Sequence, residues 1–146
     1  MTGVEWPARM QRLRRGPLVA AAAGCELWLD GGHNPAGGQA VASTLAELPL
    51  RPTHLICGML NTKDVGGYLR ALAPQVETLT AVSIEGEAAT LTAKDTAGFA
   101  RDAGIPATTA PAVGHAVAAL AAAHPGARLL ICGSLYLAGR VLRENA

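Results

Sequence analysis

The sequence predicts an α/β domain built on a mostly parallel sheet with helices over both faces. Three observations carry this. Four short apolar runs, at 26–30 (ELWLD), 53–57 (THLIC), 77–84 (ETLTAVSI) and 128–132 (RLLIC), are each followed by glycine or polar residues. Such runs suit strands covered on both sides. Stretches with Ala, Val and Leu at helical spacing separate them, and strand–helix alternation at this pitch points to parallel pairing. Finally, 146 residues, half of them apolar, suffice for one domain with one core.

The elements follow in order. Residues 10–14 fit an additional N-terminal edge strand, and Gly16-Pro17 opens a short apolar helix over 17–23. After the first buried strand, Asn34 stands where an N-cap belongs, with Pro35 at the first helical position of a helix over 35–48. The second strand leads to a shorter helix over 64–72, N-capped near Thr62. After the third strand, T-A-K-D at 92–95 is a capping-box-like start, with Asp in place of Glu, to a helix over 92–103 that Gly104 ends. A further short strand falls at 108–110 or around Ile105. An Ala-rich helix over 113–124 closes at Pro125-Gly126, with His124 in a last turn where a cation suits the dipole. The fourth strand and a helix over 134–144 complete the chain. The strings LICGM and LLICGS read as two uses of one strand-to-turn solution, not as a repeat.

Composition excludes several function classes. Only five residues are aromatic (Trp6, Trp28, Tyr68, Phe99, Tyr136), so packing rests on Leu, Val, Ile and small Ala side chains that suit close helix-on-sheet contacts. A net charge of +1 argues against a nucleic-acid binder. The densest basic run, 9–15, is either a solvated or domain-facing strand or contributes a phosphate contact. Cys25, Cys57 and Cys132 make an odd count without Cys-x-x-Cys spacing, which disfavours disulfides or zinc, and Cys57 and Cys132 read as buried small hydrophobes. The N-terminus has no signal-peptide pattern and no apolar run reaches membrane-spanning length, so no membrane partner is expected and a reducing cytoplasm is the expected setting.

Ligands of open parallel sheets bind outside the carboxyl ends of the strands. There the sequence places Asp30-Gly31-Gly32-His33-Asn34-Pro35, then 58–64 with Lys63, then 85–87, then Gly133-Ser134. In the DGGHNP loop, two glycines permit a sharp turn and close backbone approach, and the helix it opens offers unpaired N–H groups. Asp30 can accept ribose hydroxyls, and His33 can donate to a phosphate. The plainer alternative is a β–turn–α joint with Asn34 as cap and Asp30 as turn residue. Likewise Lys63 either meets an anion or is solvated, and Ser134 either binds a ligand or caps a helix. His54, His115 and His124 are scattered and none is assigned to catalysis. There is no G-x-x-x-x-G-K-[ST] loop, no G-x-G-x-x-G fingerprint and no G-x-S-x-G elbow, so the chain offers only half a nucleotide site.

Four strings in order are Trp6-Pro7-Ala8-Arg9-x-Gln11, Leu29-Asp30-Gly31-Gly32-His33-Asn34-Pro35, Gly58-Met59 with Lys63-Asp64, and Gly133-Ser134-Leu135-Tyr136-Leu137-Ala138-Gly139. Together they resemble the C-terminal domain of the folylpolyglutamate synthase/dihydrofolate synthase family, within the Mur ligase superfamily. The resemblance runs over essentially the whole chain. Ala8 stands where the family's W-P-G-R string has glycine.

The resemblance implies a Rossmann-like domain of the Mur-ligase C-terminal type spanning 1–146, with an N-terminal P-loop ATPase domain outside this chain as its partner. It implies an ATP-dependent ligase that adds L-glutamate to dihydropteroate or folate through an acyl phosphate. ATP-binding residues would be Arg9, Asp30, His33 and Asn34. Lys63 and Ser134 would lie near the incoming glutamate. Magnesium would be held mainly by the other domain, and neither a catalytic residue nor a metal ligand is expected in this chain. By itself the chain is expected to be inactive. The rival readings are the C-domain of a cell-wall Mur ligase, which more often carries Asp-x-Ala-His-x-Pro, and a non-catalytic nucleotide-binding or interaction module.

Overall fold

In the computed structural model, which describes residues 9–61, 64–84, 86 and 90–146, six strands form one sheet. Chain order is β1 (Gln11–Leu13), α1 (Pro17–Ala21), β2 (Glu26–Leu29), α2 (Pro35–Glu47), β3 (Thr53–Cys57), α3 (Val65–Leu72), β4 (Thr78–Ala81), α4 (Ala93–Asp102), β5 (Ala107–Thr109), α5 (Val113–Ala123), β6 (Arg128–Cys132) and α6 (Leu135–Glu144), with one 3₁₀ turn at Ala73–Gln75. Across the sheet the order is β1-β2-β6-β3-β4-β5. Only β1 runs antiparallel, Gln11 facing Leu29; the other pairings are parallel. The expected α/β architecture with a mostly parallel sheet is therefore what the chain adopts, including the N-terminal edge strand.

Every residue of β3 and β6 is buried, as central strands covered on both faces must be. The pleat sends alternate residues to opposite layers. Ile56, Leu129 and Ile131 join Val117, Leu137 and Val141 under α5 and α6. Leu55, Cys57, Leu130 and Cys132 join Val41, Leu45, Tyr68, Leu69 and Ala100 under α2, α3 and α4. The two similar strings LICGM and LLICGS are neighbours: Cys57 stands beside Cys132, and the Gly58 N–H donates to the Cys132 carbonyl at 3.2 Å.

Element ends depart from the sequence reading where tertiary contacts intervene. The third strand stops at Ala81, because the chain leaves the ladder after Val82 donates to Cys57 and the Ile84 N–H turns to the Thr90 hydroxyl. The first helix ends at Ala21, and Ala23 then takes a left-handed φ of 48°. The α3 cap is Asp64, whose carboxylate accepts from the Gly67 N–H at 2.7 Å; Thr62, expected in that role, lies outside the described residues. Thr92 caps α4 as expected, accepting from Asp95. Among the described residues no helix is long and apolar enough to cross a membrane.

His124 terminates α5 but does more than face its dipole. Its ring stacks on His54, with centroids 4.0 Å apart and planes at 20°, and the His54 Nδ1 is 2.7 Å from the Thr78 hydroxyl. Burial pushes the His54 imidazole below its ordinary value of 6.5, a charge on His124 pushes it further, and Glu77 opposes both. The folded chain therefore prefers neutral His54, while the unfolded chain takes up a proton below pH 6.5. Stability contributed by neutral His54 is present above that pH and is lost as pH falls toward the depressed folded value. Urea midpoints measured at neutral pH and at mildly acidic pH should fall for the wild type and fall less for His54→Gln. Parallel pH profiles for the two would remove His54 from the account.

Candidate functional site

The parallel strands β2, β6 and β3 end at one edge, and the loops that follow build the site there. Asp30 directly follows β2, and its own N–H donates to the Ile131 carbonyl of β6 at 2.9 Å. Its side chain is nearly buried, with one carboxylate oxygen accepting from the Gly32 N–H at 2.8 Å and the other from the Met10 N–H at 2.9 Å. The loop turns because the carboxylate folds back on it. A Cβ on Gly32 would come within 2.9 Å of that carboxylate, so a side chain there would have to push the carboxylate aside. Asn34 caps α2 by accepting from Gly37 at 2.8 Å, and Pro35 occupies the first turn, where its missing N–H costs nothing.

A cleft of about 350 Å³ opens beside this loop, lined by Arg9, Asp30, His33, Asn34, Ala40 and Leu135 among others. A smaller cleft of about 120 Å³ adjoins it, sharing His33 and Leu135 and adding Leu60, Gly133, Ser134 and Tyr136. Five of the six residues expected from the sequence thus gather at one edge: Arg9, Asp30, His33, Asn34 and Ser134. The sixth, Lys63, lies outside the described residues, as do Trp6, Pro7 and Ala8 of the first string.

Ser134 is buried and caps α6, its hydroxyl accepting from Tyr136 at 3.0 Å and from Leu137 at 3.4 Å. Structural roles are therefore visible for Asp30, Asn34 and Ser134, whereas His33 is exposed at the junction of the two clefts. Beneath this edge, hydrogen bonding to Cys132 and burial hold the Cys57 thiol well above its usual range, so it stays protonated and is no nucleophile. Among the described residues no three His, Cys, Asp or Glu side chains converge in a way that would hold a metal ion.

The sequence reading assigned no role to Leu135 and Tyr136, although both line the smaller cleft. They are 60% and 58% exposed, two consecutive large side chains at a helix start. Their place directly after the Ser134 cap was the available signal.

The family model described as "Mur ligase, glutamate ligase domain" matches residues 9–135. The chain belongs to this family. As a Mur ligase glutamate-ligase domain it is 30% identical over 137 residues to the folylpolyglutamate synthase of Lacticaseibacillus casei, covering 94% of this chain and 29% of that protein. It is 40% identical over 72 residues to the dihydrofolate synthase/folylpolyglutamate synthase of Mycobacterium tuberculosis, covering 49% of this chain and 13% of that protein.

A crystal structure of Mycobacterium tuberculosis folylpolyglutamate synthase complexed with ADP and AMPPCP superposes with a TM-score of 0.77 at 28% identity, covering 99% of this chain and 33% of that one. A bifunctional folylpolyglutamate synthase/dihydrofolate synthase with Mn, AMPPNP and L-glutamate bound gives a TM-score of 0.73 at 23% identity, covering 95% and 32% of the two chains, a likeness of fold. The chain spans a third or less of these relatives' lengths.

Proposed function

We propose that this chain is the C-terminal domain of an ATP-dependent ligase that joins L-glutamate to dihydropteroate or folate, with a P-loop ATPase domain as its partner. The observation that supports this most directly is the 350 Å³ cleft, where Arg9 and the DGGHNP loop meet the N-terminus of α2. Backbone N–H groups at a helix start and a cationic side chain suit phosphate oxygens. His33, exposed over the cleft, can donate to a phosphate. The relative complexed with ADP and AMPPCP makes an adenine nucleotide the natural occupant.

In the proposed reaction the substrate carboxylate attacks the γ-phosphorus of ATP, forming an acyl phosphate and releasing ADP. The glutamate amine then attacks the acyl carbon, and the tetrahedral intermediate expels inorganic phosphate to leave the amide. Arg9, His33 and the loop N–H groups would bind and orient the phosphates. Ser134 at the smaller cleft, with Lys63, would receive the carboxylates of glutamate. Magnesium would supply charge neutralisation on the ATP phosphates and would be held mainly by the partner domain.

Two measurements test this. The purified chain should bind ADP yet show no steady ATP hydrolysis or glutamate ligation, since it carries no P-loop. In the longer polypeptide, His33→Ala should cost about 2–4 kcal/mol of transition-state stabilisation. Ser134→Ala and Lys63→Ala there should raise the KM for glutamate more than that for ATP. Unchanged turnover for His33→Ala, or equal effects on both substrates for the other two, would refute these assignments.

A further inference from the structure

The end of the sheet opposite the clefts holds a second group of titratable side chains. The His54 ring, 3% exposed at the start of β3, stacks on that of His124, with centroids 4.0 Å apart. His124 ends α5 and opens the turn 124–127, which leads into β6. Backbone carbonyls tie this turn to its surroundings. The His124 carbonyl accepts from the Ala127 N–H at 3.1 Å and from the buried Cys25 thiol at 3.4 Å. The Ala127 carbonyl accepts from the Glu26 N–H at 3.0 Å, where β2 begins, and the Gly126 carbonyl accepts from Arg51. Pro125 and Gly126 themselves are exposed, and a turn at a sheet edge opens at lower cost than the central strands.

Two imidazoles this close repel each other when both carry a proton. Glu77, just before β4, favours a proton on His54, but burial, and then His124, outweigh it. The other neighbours offer no counter-charge. β6 sets Leu129 beside His54, β4 sets Thr78 there, and the buried residues of α5, Ala116, Val117, Leu120 and Ala121, are uncharged. Arg51 and Arg128 are paired with Glu26. Opening the turn gives both rings to water, where each takes up a proton below about pH 6.5. Acid therefore favours the open turn.

We propose that the stacked His54–His124 pair is an acid-sensitive latch: neutral, it holds the 124–127 turn against β3, and on protonation it lets that turn and the attached start of β2 open while the rest of the sheet stays folded. The device is independent of the nucleotide reading, because the clefts lie at the other ends of these strands. Cys25 reports its state. In the closed form the thiol is covered and donates to the turn; in the open form it meets solvent. Cys57 and Cys132, buried at the carboxyl ends of β3 and β6, are the internal reference for parts that stay closed.

The test follows labelling of the three thiols by dithiodipyridine, read peptide by peptide in a mass spectrometer. Each rate is divided by that of the urea-unfolded chain at the same pH, which cancels the chemistry of the reagent. Between neutral pH and about pH 5.5, Cys25 labelling should rise about tenfold in the wild type while Cys57 and Cys132 stay protected. His54→Gln should hold the rise to about twofold or less. His124→Phe keeps a flat ring against His54 but takes no proton, so Cys25 should be protected as in the wild type at neutral pH and respond less to acid. If His54→Gln already exposes Cys25 at neutral pH, His124→Phe decides. A flat wild-type profile would overturn the latch. So would equal acceleration at all three cysteines, which means global unfolding, or a full wild-type response in His124→Phe.

Discussion

Arg128→Ala is expected to destabilise the fold by about 3 kcal/mol or more, the scale for stripping one partner from a buried ion pair. Arg128 is 2% exposed at the start of β6. Its Nε donates to Glu26 at 3.1 Å and its Nη2 to the Pro49 carbonyl at 2.9 Å. Glu26 also accepts from the Trp28 indole at 2.9 Å and pairs with Arg51 at 3.2 Å. Removing Arg128 therefore orphans the Pro49 carbonyl and leaves Glu26, on an adjacent strand, with a half-exposed arginine and an indole.

Burial would raise the Glu26 carboxyl, but the hydrogen bonds from Trp28 and Arg128, with the charges of Arg128 and Arg12, outweigh it and bring the net value below the ordinary 4.5. A depressed carboxyl contributes stability that is present above pH 4.5 and lost as pH falls through its folded value. Arg128→Ala should thus lower the urea midpoint at neutral pH and flatten the acid limb. A second variant separates pairing from simple loss of bulk: Glu26→Leu combined with Arg128→Met should regain much of the loss, because an apolar pair carries no stranded charge. A double variant as unstable as the sum of its single changes would show that the two residues are not coupled.

The second large effect is expected at Gly133. Its φ is 112°, and a Cβ there would lie 2.6 Å from the Gly58 carbonyl oxygen, 2.9 Å from the Cys57 sulfur and 3.0 Å from Met59. Two of those neighbours belong to the strand end and turn that carry the other copy of the ICG string, so neither can yield without moving β3. Gly133→Ala should cost about 2–4 kcal/mol, summing an unfavourable backbone with overpacking. Gly126→Ala is the matched control. Its φ is 79°, yet nothing lies within 4 Å of its Cβ position, so it isolates the backbone contribution at about 1 kcal/mol. Gly133 also precedes the Ser134 cap, so the alanine variant should perturb the smaller cleft, which a His33 or Tyr136 resonance would report. Equal costs at the two glycines would remove the steric half of the account.

Much of this was legible in the sequence because it rests on local rules. Alternation of apolar strands and amphipathic helices determined the sheet. Asn34, Pro35 and Thr92 announced helix starts through the N–H groups that helix ends leave open. The carboxyl-edge rule was enough to list Asp30, His33, Asn34 and Ser134 together. What the sequence by itself could not decide is which atoms of those residues are already engaged. Asp30 and Ser134 look like ligand groups in a string of letters, but the fold also engages the Asp30 carboxylate with Met10 and Gly32 and the single Ser134 hydroxyl oxygen with Tyr136 and Leu137. The strand order, with β6 between β2 and β3, was likewise invisible, since it depends on long-range pairing. That pairing sets Gly58 against Gly133 and Glu26 against Arg128, and it brings Arg9 to a loop more than twenty residues away. Such contacts arise only when separate segments are packed together, so no local pattern records them.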